Sequence, residues 1–173
     1  MRSDNELIKD FQSGQQAAFD ELVKRHLSTV YTFFRRITGD DMAAEDLAQD
    51  VFYKLFKHLK KFRFDAEFTT YLFRVNINTA STYLRRSRWR NLLHLDEAPE
   101  TSEASNENWQ WSRTELWNAV ARLPKQQRLV VIMRIAQEIP YKDIARILGT
   151  SESTAKVNYH HGVKKLKEQL GAK

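Results

Sequence analysis

Apolar residues recur three and four positions apart along almost the whole of this 173-residue chain, and only five glycines and three prolines interrupt them. That period belongs to the α-helix, and no long stretch shows the two-residue alternation of a half-buried strand. An all-α protein is therefore expected. A first helix should run from near Ser3 or Asp4 to near Gly14, and another carries Ala18, Phe19, Leu22 and Val23. From Leu27 the stripe continues through Val30, Tyr31, Phe34 and Ile37 until TGDD at 38–41 breaks it. A further helix buries Leu47, Val51, Phe52, Leu55, Phe56 and Leu59 and leaves Asp46, Gln49 and Asp50 on an exposed patch. In the second half Trp117, Val120 and Leu123 form one apolar face, Pro124 breaks the helix, and Leu129 to Ile135 supply a central core.

Charge divides the chain into three. Residues 1–92 hold 16 Lys/Arg against 12 Asp/Glu, and residues 113–173 hold 12 against 5. Between them, residues 93–112 carry Asp96, Glu97, Glu100, Glu103 and Glu107 with no Lys or Arg. That segment has too little apolar content to fold alone and reads as a flexible acidic linker between two small helical domains. The net charge of +6 points to a polyanionic partner. With no cysteine, disulfides and thiolate metal sites are excluded, and a reducing compartment fits. No apolar run reaches bilayer-spanning length and the first residues are not a signal peptide, so a cytoplasmic protein without membrane insertion is expected.

The stretch from Tyr141 to Leu166 reads as two short helices around a tight turn. Tyr141, Ile144, Ala145 and Leu148 give the first an apolar face; Gly149 can close it in the left-handed conformation, and Ser151 can cap the second. Ala155, Tyr159, Gly162, Val163 and Leu166 would pack the second helix on the first. The opposite arc holds Ser153, Thr154, Val157, His160, His161 and Lys164, with Lys156 on its flank, and no acid occurs between Ser153 and Leu166. A hydrogen-bonding, positively biased helix face held by a second helix suits a helix-turn-helix that reads duplex DNA in the major groove. An ordinary helical hairpin with a solvated face has the same spacing.

Phe62 to Arg90 interleaves Phe62, Phe64, Phe68, Tyr71, Phe73, Tyr83 and Trp89 with Arg63, Arg74, Arg85, Arg86, Arg88 and Arg90. Rings can stack on unpaired bases while guanidiniums hold their phosphates, so the pattern fits a single strand. A domain of this size also needs aromatics for its core, and Tyr71, Leu72 and Val75 lie on the apolar stripe. Asn76, Asn78 and Thr82 remain open between helix surface and contacts to Watson–Crick edges.

Two segments resemble one family, the extracytoplasmic-function sigma factors, the compact members of the sigma-70 family. AFDELVKRH, AAEDLAQDVFYKLF and FTTYLFRVNINTASTYLRR resemble region 2, and LPKQQRLVVIMR with YKDIARILGTSESTAKVNYHHGVKKLK resembles region 4. The resemblance implies domains at 1–92 and 113–173 joined by the linker 93–112. It implies that Asp46, Gln49 and Asp50 dock on the clamp helices of the largest catalytic subunit of bacterial RNA polymerase. Asn78 and the loop from Phe64 to Thr69 match the place that receives a base flipped from the minus-ten element. With Phe68, Asn76, Arg85, Arg86 and Arg88 they make up the expected single-strand site. Lys156, Val157, His160 and His161 match the positions that read the minus-thirty-five element, with Ser153, Thr154 and Lys164 beside them. Tyr71, Asn76 and Thr82 stand where the family commonly has Trp, Ala and Asp, and Glu138, Ala155 and Asn158 replace a common Gly, Val and Arg.

The expected function is that of an initiation factor that binds core RNA polymerase and promoter DNA, with an anti-sigma factor as a further expected partner. No small-molecule substrate or cofactor is expected. A stand-alone helix-turn-helix regulator is the alternative. A nuclease is a weaker rival, since His26, His58, His94, His160 and His161 show no metal-ligand spacing and no glycine-rich phosphate loop is present.

Overall fold

Both halves of the chain open with the same local device. Ser3 accepts a hydrogen bond from the Glu6 backbone while the Glu6 carboxylate accepts one from the Ser3 N–H, starting α1 (Asp4–Gln12). Ser112 and Glu115 repeat this reciprocal cap at α5 (Arg113–Arg122), so the last residue of the expected linker is the first of a helical domain. A computed structural model describes the backbone of residues 2–92 and 112–171 and the side chains of 2–87 and 112–171. Apart from Ser112, the expected linker lies outside the described residues. The remaining elements are α2 (Gln16–Thr38), α3 (Asp41–Leu59), α4 (Phe68–Leu92), α6 (Lys125–Gln137), α7 (Tyr141–Leu148) and α8 (Glu152–Leu170), and no strand occurs among the described residues. The segments carrying Ala18 to Val23 and Leu27 to Ile37 form one continuous helix, α2, because no breaker separates them. Gly39 ends it at φ 71°, and Asp40 caps α3 by accepting from the Ala43 N–H at 2.6 Å.

The chain packs as two compact units, Met1–Thr79 and Ala80–Lys173, so the division by packing falls inside α4. In the first unit α2 packs along both α1 and α3. Phe11, Phe19 and Phe56, one from each helix, stand with ring centroids 5.1 to 5.3 Å apart. Asp4 then ties α1 to α2 at the surface, accepting from Arg25 at 2.6 Å and pairing with the His26 ring at 2.9 Å.

In the second unit α6 is the central helix: Leu129, Val130, Val131, Ile132 and Met133 are consecutive and all buried. A helix buried on every side needs no amphipathic pattern. Arg128 is buried with them and donates to the carbonyls of Ala121 and Leu123 at 3.0 and 3.1 Å, and to Ser81 Oγ at 2.9 Å. It thereby satisfies the carbonyl end of α5 and anchors the last turns of α4. Burial lowers the Arg128 pKa, and the nearby charge of Arg85 lowers it further. Glu138 closes α6 at φ 55°, which explains why glycine is common there: the left-handed region favours a residue without Cβ. Arg134 braces that turn from its Nη1 to the Ile139 carbonyl at 2.9 Å.

Candidate nucleic-acid interface

The turn between α7 and α8 fixes the direction of α8. Gly149 takes φ 65°, the Thr150 N–H returns to the Ala145 carbonyl at 2.9 Å, and Ser151 Oγ accepts from the Thr154 N–H at 3.0 Å. The Ser153 and Thr154 hydroxyls lie 2.9 and 2.7 Å from that same Oγ, so the first turn of α8 carries an ordered hydroxyl cluster. Ser153, Thr154, Lys156, Val157, His160, His161 and Lys164 are all exposed, while Ala155, Gly162 and Leu166 are buried on the opposite side. Gly162 is required for this approach: a Cβ there would meet Val131 Cγ2 of α6 at 2.8 Å.

Tyr141 locks the flank of the same surface. Its ring lies 4.8 Å from the Arg134 guanidinium and 5.9 Å from Lys156 Nζ, and 5.8 Å from the Tyr159 ring. Lys156 also pairs with Glu152 at 2.7 Å. Val157, 52% exposed, is the one apolar side chain on the arc and suits the methyl group of a thymine. The imidazoles of His160 and His161 are 6.3 Å apart, and no cluster fit for a metal occurs among the described residues.

The second candidate surface is built from α4 and the loop before it. Asn78 is exposed, and at helical spacing it shares a face with exposed Arg74 and Arg85 and with half-buried Tyr71 and Thr82. Arg86 is exposed on another side of α4, and the Arg88 side chain is outside the described ones. Phe64 is half-buried at φ 59°, its ring 5.1 Å from Phe62, which in turn lies 5.2 Å from Tyr71. Burial raises the Tyr71 hydroxyl pKa above its ordinary value.

Two of the residues expected at the single-strand site are core residues instead. Phe68 is 2% exposed with its ring edge-on to His26 at 5.3 Å, so it has no face left for a base. Asn76 is 0% exposed, and neither Oδ1 nor Nδ2 has a hydrogen-bond partner. An amide that suggested base recognition is instead a buried polar group in α4. Sequence reasoning also passed over Arg74 as a specific member of the exposed face, although its spacing from Asn78 was available.

On α3, Asp46, Gln49 and Asp50 are exposed together as expected, with Asp50 held by Lys54 at 2.6 Å and Lys54 in turn donating to Thr79 Oγ1 at 2.9 Å. Met42 and Tyr53, 77% and 58% exposed, flank this patch at helical spacing. The sequence reading missed both. Their exposure was legible, since neither falls on the buried stripe.

A capped helix-turn-helix and a separate amide–arginine face on another helix are together the arrangement expected of a transcription protein. Residues 22–90 match the family model for sigma-70 region 2, and residues 113–166 match that for sigma-70, region 4. The chain belongs to the sigma-70 family, among its extracytoplasmic-function members. It is 28% identical over 170 residues to the ECF RNA polymerase sigma factor SigM of Mycobacterium tuberculosis, covering 98% of this chain and 86% of the relative. It is also 28% identical to the RNA polymerase sigma factor CarQ of Myxococcus xanthus over 166 residues, 95% of each chain. Among solved structures it shares the fold of CnrH, in complex with the cytosolic domain of CnrY, with a TM-score of 0.61 and 22% identity over 98% of this chain and 97% of the other. No described helix is long and apolar enough to cross a membrane.

Proposed function

We infer that this chain is an alternative sigma factor that directs RNA polymerase to promoters and helps open them. The observation that carries the reading is the presence, on one chain, of two different nucleic-acid surfaces: α8 shaped for a duplex groove, and the α4 face with its aromatic loop suited to an unpaired strand. A stand-alone regulator needs only the first. Residues 1–92 dock on core polymerase through Asp46, Gln49 and Asp50 and capture melted DNA with Phe64, Asn78, Arg85 and Arg86. Residues 113–173 read the upstream element, and 93–112 connect the two. The factor acts in the cytoplasm, catalyses no reaction of its own, and is held in check by an anti-sigma factor. Support for that last partner comes from a solved relative, a sigma factor RpoE in complex with the anti-sigma factor NepR from Bartonella quintana, with a TM-score of 0.53.

Opening DNA costs stacking of roughly 1.4 kcal/mol per base step, so extruded bases must be captured in compensating pockets. The test is run-off transcription with core polymerase and a promoter library, followed by Asn78→Ala on a promoter so recovered. Permanganate reactivity of promoter thymines and transcription should fall on duplex DNA and recover on a template already bubbled at the downstream element. Transcription of no promoter above the level of core polymerase alone would refute the reading. Normal opening by Asn78→Ala would refute the pocket.

A further inference from the structure

Helix α1 lies outside the segment matched to sigma-70 region 2, yet two of its side chains hold the loop that precedes α4. Gln12 Nε2 donates to the Leu59 carbonyl at 2.8 Å and to the Phe62 carbonyl at 2.9 Å, across the turn where the chain leaves α3. Three residues earlier, on the same face of α1, Lys9 places its Nζ 5.6 Å from the centre of the Phe64 ring. Phe64 is one of two described non-glycine residues with positive φ, and a left-handed conformation is strained for a bulky residue because its Cβ crowds the following carbonyl. Such a conformation persists where its surroundings over-determine it. Here those surroundings are the Phe62 ring on one side and α1 on the other.

We propose that α1 is a working part of the strand-capture site, with Gln12 as a positioning residue for the Phe62–Phe64 turn and Lys9 as a contact to the phosphate of the nucleotide whose base stacks on Phe64. This rests on the strand-capture reading above. Lys9, Lys60, Lys61 and Arg63 are all exposed around this turn, so a sugar-phosphate backbone crossing it meets cations from both the loop and α1. The Lys9 ammonium lies over the half-buried Phe64 ring, whose accessible part is the surface left for a base, and that pairing of cation and aromatic recurs in single-strand grooves. Gln12 touches no nucleotide. It supplies two hydrogen bonds to carbonyls, and without them the turn is free to relax from the conformation that presents Phe64.

The experiment uses holoenzyme reconstituted with core polymerase and the fluorescein-labelled non-template strand of a promoter recovered by run-off transcription. Lys9→Gln should weaken binding of this strand about fivefold, and lower the slope of log affinity against log salt by about 0.7, the value for one phosphate on a single strand. Gln12→Ala should slow permanganate-detected opening of the duplex promoter about tenfold, the scale of one or two lost hydrogen bonds, with recovery on a bubbled template. Its affinity for core polymerase should stay unchanged, and its thermal midpoint should fall by no more than the loss of these two hydrogen bonds allows. An unaltered salt slope in Lys9→Gln together with normal opening by Gln12→Ala overturns the proposal and leaves strand capture standing. So does a Gln12→Ala protein that loses core affinity in proportion to opening, because α1 would then be scaffold only. If the unmodified holoenzyme does not bind the strand, the strand-capture reading fails and this proposal fails with it.

Discussion

Helices α8 and α4 both carry residues expected to touch DNA, and they differ in how those residues are held. On α8 every expected contact residue is exposed, and the buried side is made of small or apolar groups, Ala155, Gly162 and Leu166. On α4 the buried positions include Thr70, Asn76, Thr79 and Ser81, four of the five buried polar residues among those described. A duplex groove is a preformed shape, and a rigid helix with a clean polar face fits it. An unpaired strand has to be caught as it forms, and the proposed strand-capture face on α4 is accompanied by half-buried rings, a loop residue in the left-handed region and a core containing an unsatisfied amide. Rigidity on one helix and stored strain beside the other suit those two tasks.

The largest effect that would break this contrast lies at Gly162. If α8 is seated by close approach to α6, Gly162→Ala must push the helices apart, because the new methyl would meet Val131 Cγ2 at 2.8 Å and Gln127 Cβ at 3.6 Å. Overpacking of this kind costs about 1–3 kcal/mol, read as a shift of the urea midpoint at constant slope. Binding to the upstream element should weaken as α8 shifts. The Gly162→Ala/Val131→Ala pair should lose less than the two single changes summed, because the second removes the atom the first collides with. A neutral Gly162→Ala would show that α6 and α8 slide freely and that the reading helix is not held rigidly.

Asn76 gives the next effect, with the opposite sign. Two buried amide atoms without partners carry a desolvation cost of about 1–3 kcal/mol, against which a small cavity must be set, and alanine is also the better helix former. Asn76→Ala should therefore stabilise the protein by about 1 kcal/mol. Promoter opening should be unaffected. If opening instead fails in the more stable variant, Asn76 reaches the strand when DNA binds, and the assignment of this residue to the core is wrong. Pairing this variant with Asn78→Ala, two residues away on the exposed face, separates a group that shapes α4 from one that touches DNA.

The same contrast explains what could be read from the sequence. The helix-turn-helix was legible because its apolar residues fall on one side, its turn is marked by Gly149 and Ser151, and every polar residue on the far arc is outside. The acidic patch of α3 was legible for the same reason. On α4 the rule fails, since polarity does not report exposure where the buried side includes Asn76, Thr79 and Ser81. Phe68 failed differently: an aromatic between a loop carrying Lys60, Lys61 and Arg63 and an arginine-bearing helix fits a stacking platform and a core equally well, and only its packing on His26 decides. Gln12 and Lys9 gave no sign at all. Their partners lie about fifty residues away in sequence, beyond the reach of any local pattern.

The smallest expected effect concerns what the two halves share. Glu6 and Glu115 sit in matching capping boxes, and each has its pKa lowered from 4.5, chiefly by the hydrogen bond its carboxylate accepts from the backbone N–H of Ser3 or Ser112. A carboxylate whose folded pKa lies below its unfolded value contributes stability above the unfolded pKa and loses it as pH falls through the folded one. Acidification from 4.5 downward should therefore weaken both helix starts together. Glutamine keeps an acceptor at the same place in the box but does not titrate. Glu6→Gln and Glu115→Gln should leave the denaturant midpoint at pH 7 almost unchanged, and should flatten the fall of stability below pH 4.5 by similar amounts. The comparison is sharpened by following each variant with a local probe, hydrogen exchange at the first turns of α1 and α5. Equal flattening would mean that the duplex reader and the strand-capture unit are fastened alike at their entrances and differ only in their interiors. A response confined to one of them would place part of the difference at the helix caps.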